Sequence, residues 1–213
     1  MTNFIPIFPL SIIVFPGETL NLHIFEPRYK QLIQECVEQK KPFGIPAVVN
    51  KELKDLGTLV EVTAIKHVYE DGKMDISTKG VKVFRLLEVV KEVPDKLYSG
   101  AIVTYPEDED DGNRLLMQKV VAGIKELHKL LEVSKDFKKP EEELKAFDVA
   151  HHMGLNVEEE YELLGLFREA QRQEYLKRHL GKVIPMLAEM ESLKDKVKLN
   201  GHFRNLTSFD FDL

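Results

Sequence analysis

Residues 8–29, FPLSIIVFPGETLNLHIFEPRY, set the reading of the whole chain. Leu10, Ile12, Ile13, Val14 and Phe15 make a short apolar, largely β-branched run, the composition of a buried strand. Pro16-Gly17 stops it, because proline fixes φ at the first turn position and glycine accepts a positive φ at the next. Leu20, Leu22 and Ile24 then alternate with Asn21, His23 and Phe25, the period-two signature of a strand with one buried face. Glu26-Pro27 ends that strand and opens a helix: Pro27 suits a first helical position, and Glu26 lies beside the positive helix N-terminus.

The helix runs to about Lys40. Tyr29, Leu32, Ile33, Cys36 and Val37 recur at helical spacing along one face, with Lys30, Gln34, Glu38 and Lys41 opposite. Pro42 and Gly44 mark a break, and short strands follow to about Tyr105. Ile45–Val49 is one, Thr58–Val68 a second, and Asp71-Gly72 makes a hairpin turn into Met74–Thr78. Gly80 is read as a strand break, with Val81–Val90 and Leu97–Tyr105 as two further strands. Many short strands with one helix among them favour a closed or nearly closed barrel, since closure removes vulnerable edges. The helix is expected to plug one end of it.

Several pieces of this half, in order, resemble the N-terminal substrate-binding domain of Lon proteases, a module also found in cereblon and in free-standing bacterial proteins. They are Phe8-Pro9-Leu10, Val14-Phe15-Pro16-Gly17 and Leu22-His23-Ile24-Phe25-Glu26-Pro27-Arg28-Tyr29, then Phe43-Gly44-Ile45, Leu56-Gly57-Thr58, Asp71-Gly72, Lys79-Gly80 and Phe84-Arg85. The resemblance covers roughly residues 4–105, and more loosely the helical half, through Gly154-Leu155-Asn156 and Glu162-Leu163-Leu164. It departs at Val83-Phe84, where that family more often carries Arg-Phe. It implies an α+β fold: a PUA-like β pseudo-barrel with one packed helix, followed by an all-α helical subdomain ending in a long helix.

Composition changes abruptly at Pro106, so two units are expected, 1–106 and 107–213. Glu107–Asp111 reads as a solvated acidic linker whose charge suits the N-terminus of the next helix; it lacks the EF-hand calcium pattern. Leu116, Val120, Ile124, Leu127 and Leu131 stripe a helix over 113–132, and a short helix with Leu144 and Phe147 follows Pro140. Asn156 with Glu159 approaches a capping box for a third, which turns Tyr161, Leu164 and Phe167 inward. The last helix starts near Arg168 or Glu169 and carries Leu176, Leu180, Val183, Leu187 and Met190 at coiled-coil spacing, with Gly181 and Pro185 predicting a kink. That seam is either core or a homodimer contact. The tail, residues 200–213, reads as an irregular strap or a mobile segment.

The formal charge of −6 lowers the case for nucleic-acid binding. A single cysteine, Cys36, excludes an intrachain disulfide and, on an apolar helix face, reads as a buried inert thiol. The apolar N-terminus is broken by Pro6, Pro9 and Pro16 and has no basic residue before Arg28, so neither a signal peptide nor a membrane span is expected, and the location reads as cytoplasmic. No phosphate loop, His/Cys metal pattern or catalytic constellation is present; His151-His152 point in different directions, and no metal or cofactor is expected. The resemblance adds that Lon proteases need ATPase and peptidase domains for which 213 residues leave no room. The reading is therefore a non-catalytic module that binds unfolded or degradation-tagged polypeptide, or an adaptor to a protease or chaperone, as a monomer or a homodimer through the last helix. Pro16, Gly17, His23, Glu26 and Arg28 are the candidate peptide-binding residues. An RNA-binding PUA-like protein and a small-ligand sensor are the alternatives.

Overall fold

The computed structural model describes residues 2–202, with side chains through residue 197. Six strands and one helix come first: β1 (Asn3–Pro6), β2 (Thr19–Ile24), α1 (Pro27–Gln39), β3 (Phe43–Val49), β4 (Glu52–Val68), β5 (Met74–Val90) and β6 (Gly100–Thr104). Helices α2 (Arg114–Leu130), α3 (Ala146–Val149), α4 (Val157–Leu164) and α5 (Glu169–His202) follow, with short 3-10 turns flanking α3. The strands pair in the order β1-β6-β5-β4-β3, all antiparallel, and β2 joins β5 beside β6. Parallel bridges from Ile7 to Gly44 and from Leu10 to Ala47 bring the first strand's continuation back onto β3, closing the sheet into a pseudo-barrel.

The spine of the barrel is the β4–β5 hairpin, seventeen residues on each arm. Asp71-Gly72 turns it as expected, with Gly72 at φ 75 and the Tyr69 N–H donating to the Lys73 carbonyl at 2.8 Å. Gly80 does not break it. β5 runs on through Val90, and a bulge between Leu59 and Val60 absorbs the irregularity. What Gly80 provides is space, because a Cβ there would stand against the Phe15 carbonyl oxygen.

The run from Leu10 to Phe15 is also not a strand; only Leu10 makes a bridge. It is a buried crossing segment whose side chains serve different cores. Phe8 and Val14 join the cluster beneath α1, with Tyr29, Leu32, Ile33, Phe43 and Ile76. Ile13 and Phe15 enter a second cluster with Ala47, Val49, Leu56 and the inner faces of α2, α3, α4 and α5. That second cluster fastens the barrel to the helical half, so the two parts share a core. Phe15, fully buried, stacks on Phe147 at 5.1 Å.

Helices α2 and α4 start at asparagine caps. The Asn113 side chain accepts from the Leu116 N–H at 3.0 Å, and Asn156 and Glu159 form a complete capping box. The acidic stretch before α2 is largely exposed, as expected, but it is also a strap. Asp108 pairs with Arg172 at 2.7 Å, Asp110 with Lys145 at 2.6 Å, and Asp111 with Arg168 at 2.6 Å. Asp111 also accepts from the Ala170 N–H, so its charge serves the start of α5, the last helix, and not that of α2. The α5 seam divides. Leu176 and Leu180 are buried, whereas Met186, Met190, Leu193 and Val197 stand exposed beyond the core. The helix runs through Gly181 and Pro185, and the tail from 203 lies outside the described residues.

Candidate functional site

The structure separates the candidate residues into two groups. Pro16 and Gly17 make a type II turn at one end of β2: Gly17 has φ 85, the Glu18 N–H donates to the Phe15 carbonyl at 3.1 Å, and the Gly17 N–H donates to the Gly80 carbonyl at 2.9 Å. His23, Glu26 and Arg28 lie at the other end, about 15–20 Å along a strand of this length. The two groups cannot line one subsite.

The turn belongs to the junction between barrel and helices. Glu18 caps it by accepting from the Phe15 N–H at 2.9 Å, and its other contact is His151, whose Nε2 lies 3.1 Å from the carboxylate. His151 Nδ1 donates to Glu160 at 2.8 Å. Held between two carboxylates, the His151 imidazole has its pKa raised to about 9, with the hydrogen bond to Glu160 the largest cause and that to Glu18 next. Nearby, Asp55 accepts from the Tyr161 hydroxyl and pairs with Arg85 at 3.1 Å. Pro16 is half-buried and Gly17 exposed at the edge of this clamped junction.

The other group faces outward. On the solvent side of the β2–β5–β4 leaf, His23 and His67 lie in register with Asp75 from either side. His23 Nδ1 donates to Asp75 at 2.7 Å, and the Tyr69 hydroxyl donates to its second oxygen at 2.8 Å. These two bonds, His23 first, hold the Asp75 carboxyl below its usual range. Phe25 packs over His23 at 6.1 Å and Tyr69 meets His67 edge-on at 4.4 Å. Phe25 is 57% exposed and Val68 58%. Glu26 and Arg28 pair with each other at 2.7 Å, and the Arg28 guanidinium covers the Tyr29 ring, itself stacked on Phe8. His23 is thus a hydrogen-bonded element of an aromatic patch, while Glu26 and Arg28 flank it.

Beside this patch runs an open strand edge. β3 pairs with β4 only as far as Val60, opposite Phe43, yet β4 continues to Val68. Among the described residues no strand pairs with the outer side of β4 beyond that point. A groove of about 310 Å³ lies between this edge and the end of α1, lined by Val62, Ala64 and Ile65 on one wall and Cys36, Val37, Lys40 and Lys41 on the other. Burial pushes the Cys36 thiol up to about 12, so it is a neutral apolar wall and not a nucleophile. A larger cleft of about 400 Å³ sits within the helical half, over Met117, Val121 and Leu144; the carboxylates and lysines at its rim pair with one another, Asp110 with Lys145 and Glu141 with Lys125.

Sequence reading placed His23, Glu26 and Arg28 near this face but missed Tyr69, Asp75, Ile65 and the edge itself. The usable signal was Phe25, a large aromatic on the polar side of an alternating strand. No group of three or more potential metal-ligating residues occurs among the described residues, and no described helix is long and apolar enough to cross a membrane.

Residues 5–182 match the family model of the ATP-dependent protease La (LON) substrate-binding domain. A Lon protease of Parabacteroides distasonis is 32% identical over 133 residues, covering 58% of this chain and 16% of that protein. Protein cereblon of Gallus gallus is 24% identical over 108 residues, covering 48% of this chain and 24% of that protein. The chain thus spans less than a quarter of the length of these curated relatives. Among solved structures, a Lon N-terminal domain protein from Xanthomonas campestris superposes with a TM-score of 0.62 at 22% identity, covering 82% of this chain and 96% of that one. The N-terminal domain of Mycobacterium avium complex Lon protease gives 0.60 at 12% identity, covering 85% and 100%. At these identities the structural likeness concerns the fold.

Proposed function

Because this chain belongs to the Lon substrate-binding domain family, we propose that it recognises unfolded or degradation-tagged polypeptide without hydrolysing it, and that β4 and the leaf around it are the docking face. The observation that carries this reading is the unpaired edge of β4 beyond Val60, bordered by exposed Val37, Ile65, Val68, Phe25 and Tyr69. An extended chain laid along such an edge gains main-chain hydrogen bonds irrespective of sequence, and neighbouring apolar side chains supply grip. That combination suits a partner defined by being unfolded. His23 and Asp75 then act as positioning residues that hold Tyr69 and Phe25 upright. An adaptor role towards a protease or chaperone is compatible with the same face.

The experiment is a titration of the protein with a labelled unfolded polypeptide and with single-stranded RNA, each at low and high salt. Polypeptide affinity is expected near the micromolar range, about −8 kcal/mol, because ordering a flexible partner offsets much of the contact energy. Binding through apolar contacts and main-chain bonds persists as salt rises, whereas phosphate binding weakens steeply through counterion release. Tyr69→Ser with Phe25→Ser should weaken polypeptide binding about tenfold. Salt-sensitive RNA binding without polypeptide binding would refute the proposal.

A further inference from the structure

The groove beside β4 contains two cations and a single acid. Lys40 and Lys41 line its α1 wall, and neither has an ion-pair partner among the described residues. Their backbone is fixed. Lys40 is the C-cap of α1 in the left-handed region (φ 52, ψ 44), its N–H donating to the carbonyls of Cys36 and Val37, and the Lys41 N–H donates to the Cys36 carbonyl at 3.0 Å. The opposite wall contributes one anion, Glu61, so the lining carries two positive charges against one negative. Between them lie Val37, Val62, Ala64 and Ile65.

The edge itself is irregular. Register shifts between Val62 and Ala64, and again between Ile65 and His67, leave Thr63 and Lys66 without register partners on β5, although the Thr63 hydroxyl donates to the Ser77 carbonyl at 3.0 Å. Such bulges twist an edge and disfavour pairing with a second long flat strand, as another copy of this chain would require. A short segment is not so constrained. Residues 61–65 offer room for about five residues of extended chain.

Resting on the reading that the β4 edge takes polypeptide, we infer that the segment it takes is short, extended and acidic: apolar side chains at alternate positions lie against Val37 and Ile65, and a carboxylate is held by Lys40 and Lys41. Alternation follows from strand geometry, since every second side chain of an added strand points to the same face. The lysines select an acidic neighbour among the many apolar stretches that an unfolded chain exposes.

The test uses three labelled peptides that carry apolar side chains at alternate positions and, at the next position of that same face, glutamate, glutamine or lysine. At low salt the glutamate peptide should bind wild type about fivefold more tightly than its glutamine twin, with the gap narrowing at high salt, as for exposed charge pairs. Lys40→Asn combined with Lys41→Gln should abolish the gap between the twins; asparagine suits the left-handed cap. Glu61→Gln should widen the gap. Amide exchange over residues 61–68 should slow when either peptide binds. Equal binding of the twins to wild type overturns the inference while the polypeptide reading stands. Failure of every peptide and of unfolded polypeptide overturns both. Displacement of the glutamate peptide by single-stranded RNA, lost in the lysine variant, would reassign the lysines to a nucleic acid.

Discussion

His151 ties the turn that feeds the barrel to the helix that follows α3, and its removal has a calculable signature in pH. The perturbation is His151→Gln, which retains size and a hydrogen-bond donor but cannot take up a proton. In the folded protein the imidazole sits between Glu160 at 2.8 Å and Glu18 at 3.1 Å, with its pKa raised from 6.5 to about 9. A folded pKa above the unfolded one means the folded state holds the proton more tightly. The stabilisation is therefore complete below about pH 6.5 and lost as pH rises through about 9. A rise of that size corresponds to a ceiling of ~3.4 kcal/mol. The His151 side chain is 39% exposed, so solvent screens both pairs and ~1–2 kcal/mol is the realistic share.

The assay is urea denaturation of wild type and His151→Gln between pH 6 and pH 10. Wild type should lead the variant by ~1–2 kcal/mol at pH 6, with the difference fading by pH 10. Other groups that titrate over this interval are common to both proteins and cancel in the difference. Parallel curves, offset by a constant, would show that His151 is held by packing against Phe15, 5.2 Å away, and that its charge contributes nothing.

Two further outcomes follow from the same junction. Gly17→Val should cost ~1 kcal/mol or more, purely through backbone strain at φ 85, since no atom lies within 4 Å of the added Cβ; an unchanged denaturation midpoint would refute this. Glu169→Ala should cost ~2 kcal/mol, because it removes the buried carboxylate beside Arg172 and the acceptor of the Ala146 N–H, leaving Arg172 only the exposed Asp108 and the Leu166 carbonyl. Thermal unfolding of that variant should begin at correspondingly lower temperature, and near-wild-type behaviour would show that Asp108 and the Leu166 carbonyl suffice for Arg172.

Features decided by local chemistry were legible in the sequence. The alternation of Leu20, Leu22 and Ile24, the Asp71-Gly72 hairpin, the Pro16-Gly17 turn and the cap at Asn156 each depend on a few neighbouring residues and appear where expected. The misreadings share a different cause. Leu10–Phe15 has a strand's composition because its residues are buried, but they are buried among separate clusters and not on one sheet face. Gly80 looked like a breaker because glycine disfavours strands; here it is the one residue small enough for the Phe15 carbonyl to approach a continuous β5. Glu107–Asp111 is largely exposed as read, but its strapping role was hidden because its partners, Arg168 and Arg172, lie about sixty residues away.

The candidate face was the hardest to see for a reason that applies to any strand edge. An edge is not a property of the residues that form it but of a mismatch in length between paired strands. β4 has seventeen residues and β3 seven, and the excess on β4 is shared by β5 and β2 on one side only. No residue between Glu61 and Val68 announces this; Val62, Ala64 and Ile65 would read identically in the middle of a sheet. What distinguishes them is that α1 ends at Gln39 and the chain turns at Lys40 into β3, so that the helix end stands beside the edge without covering it. The same helix that plugs the barrel thereby forms the second wall of the groove, placing its final lysines where a bound chain would pass.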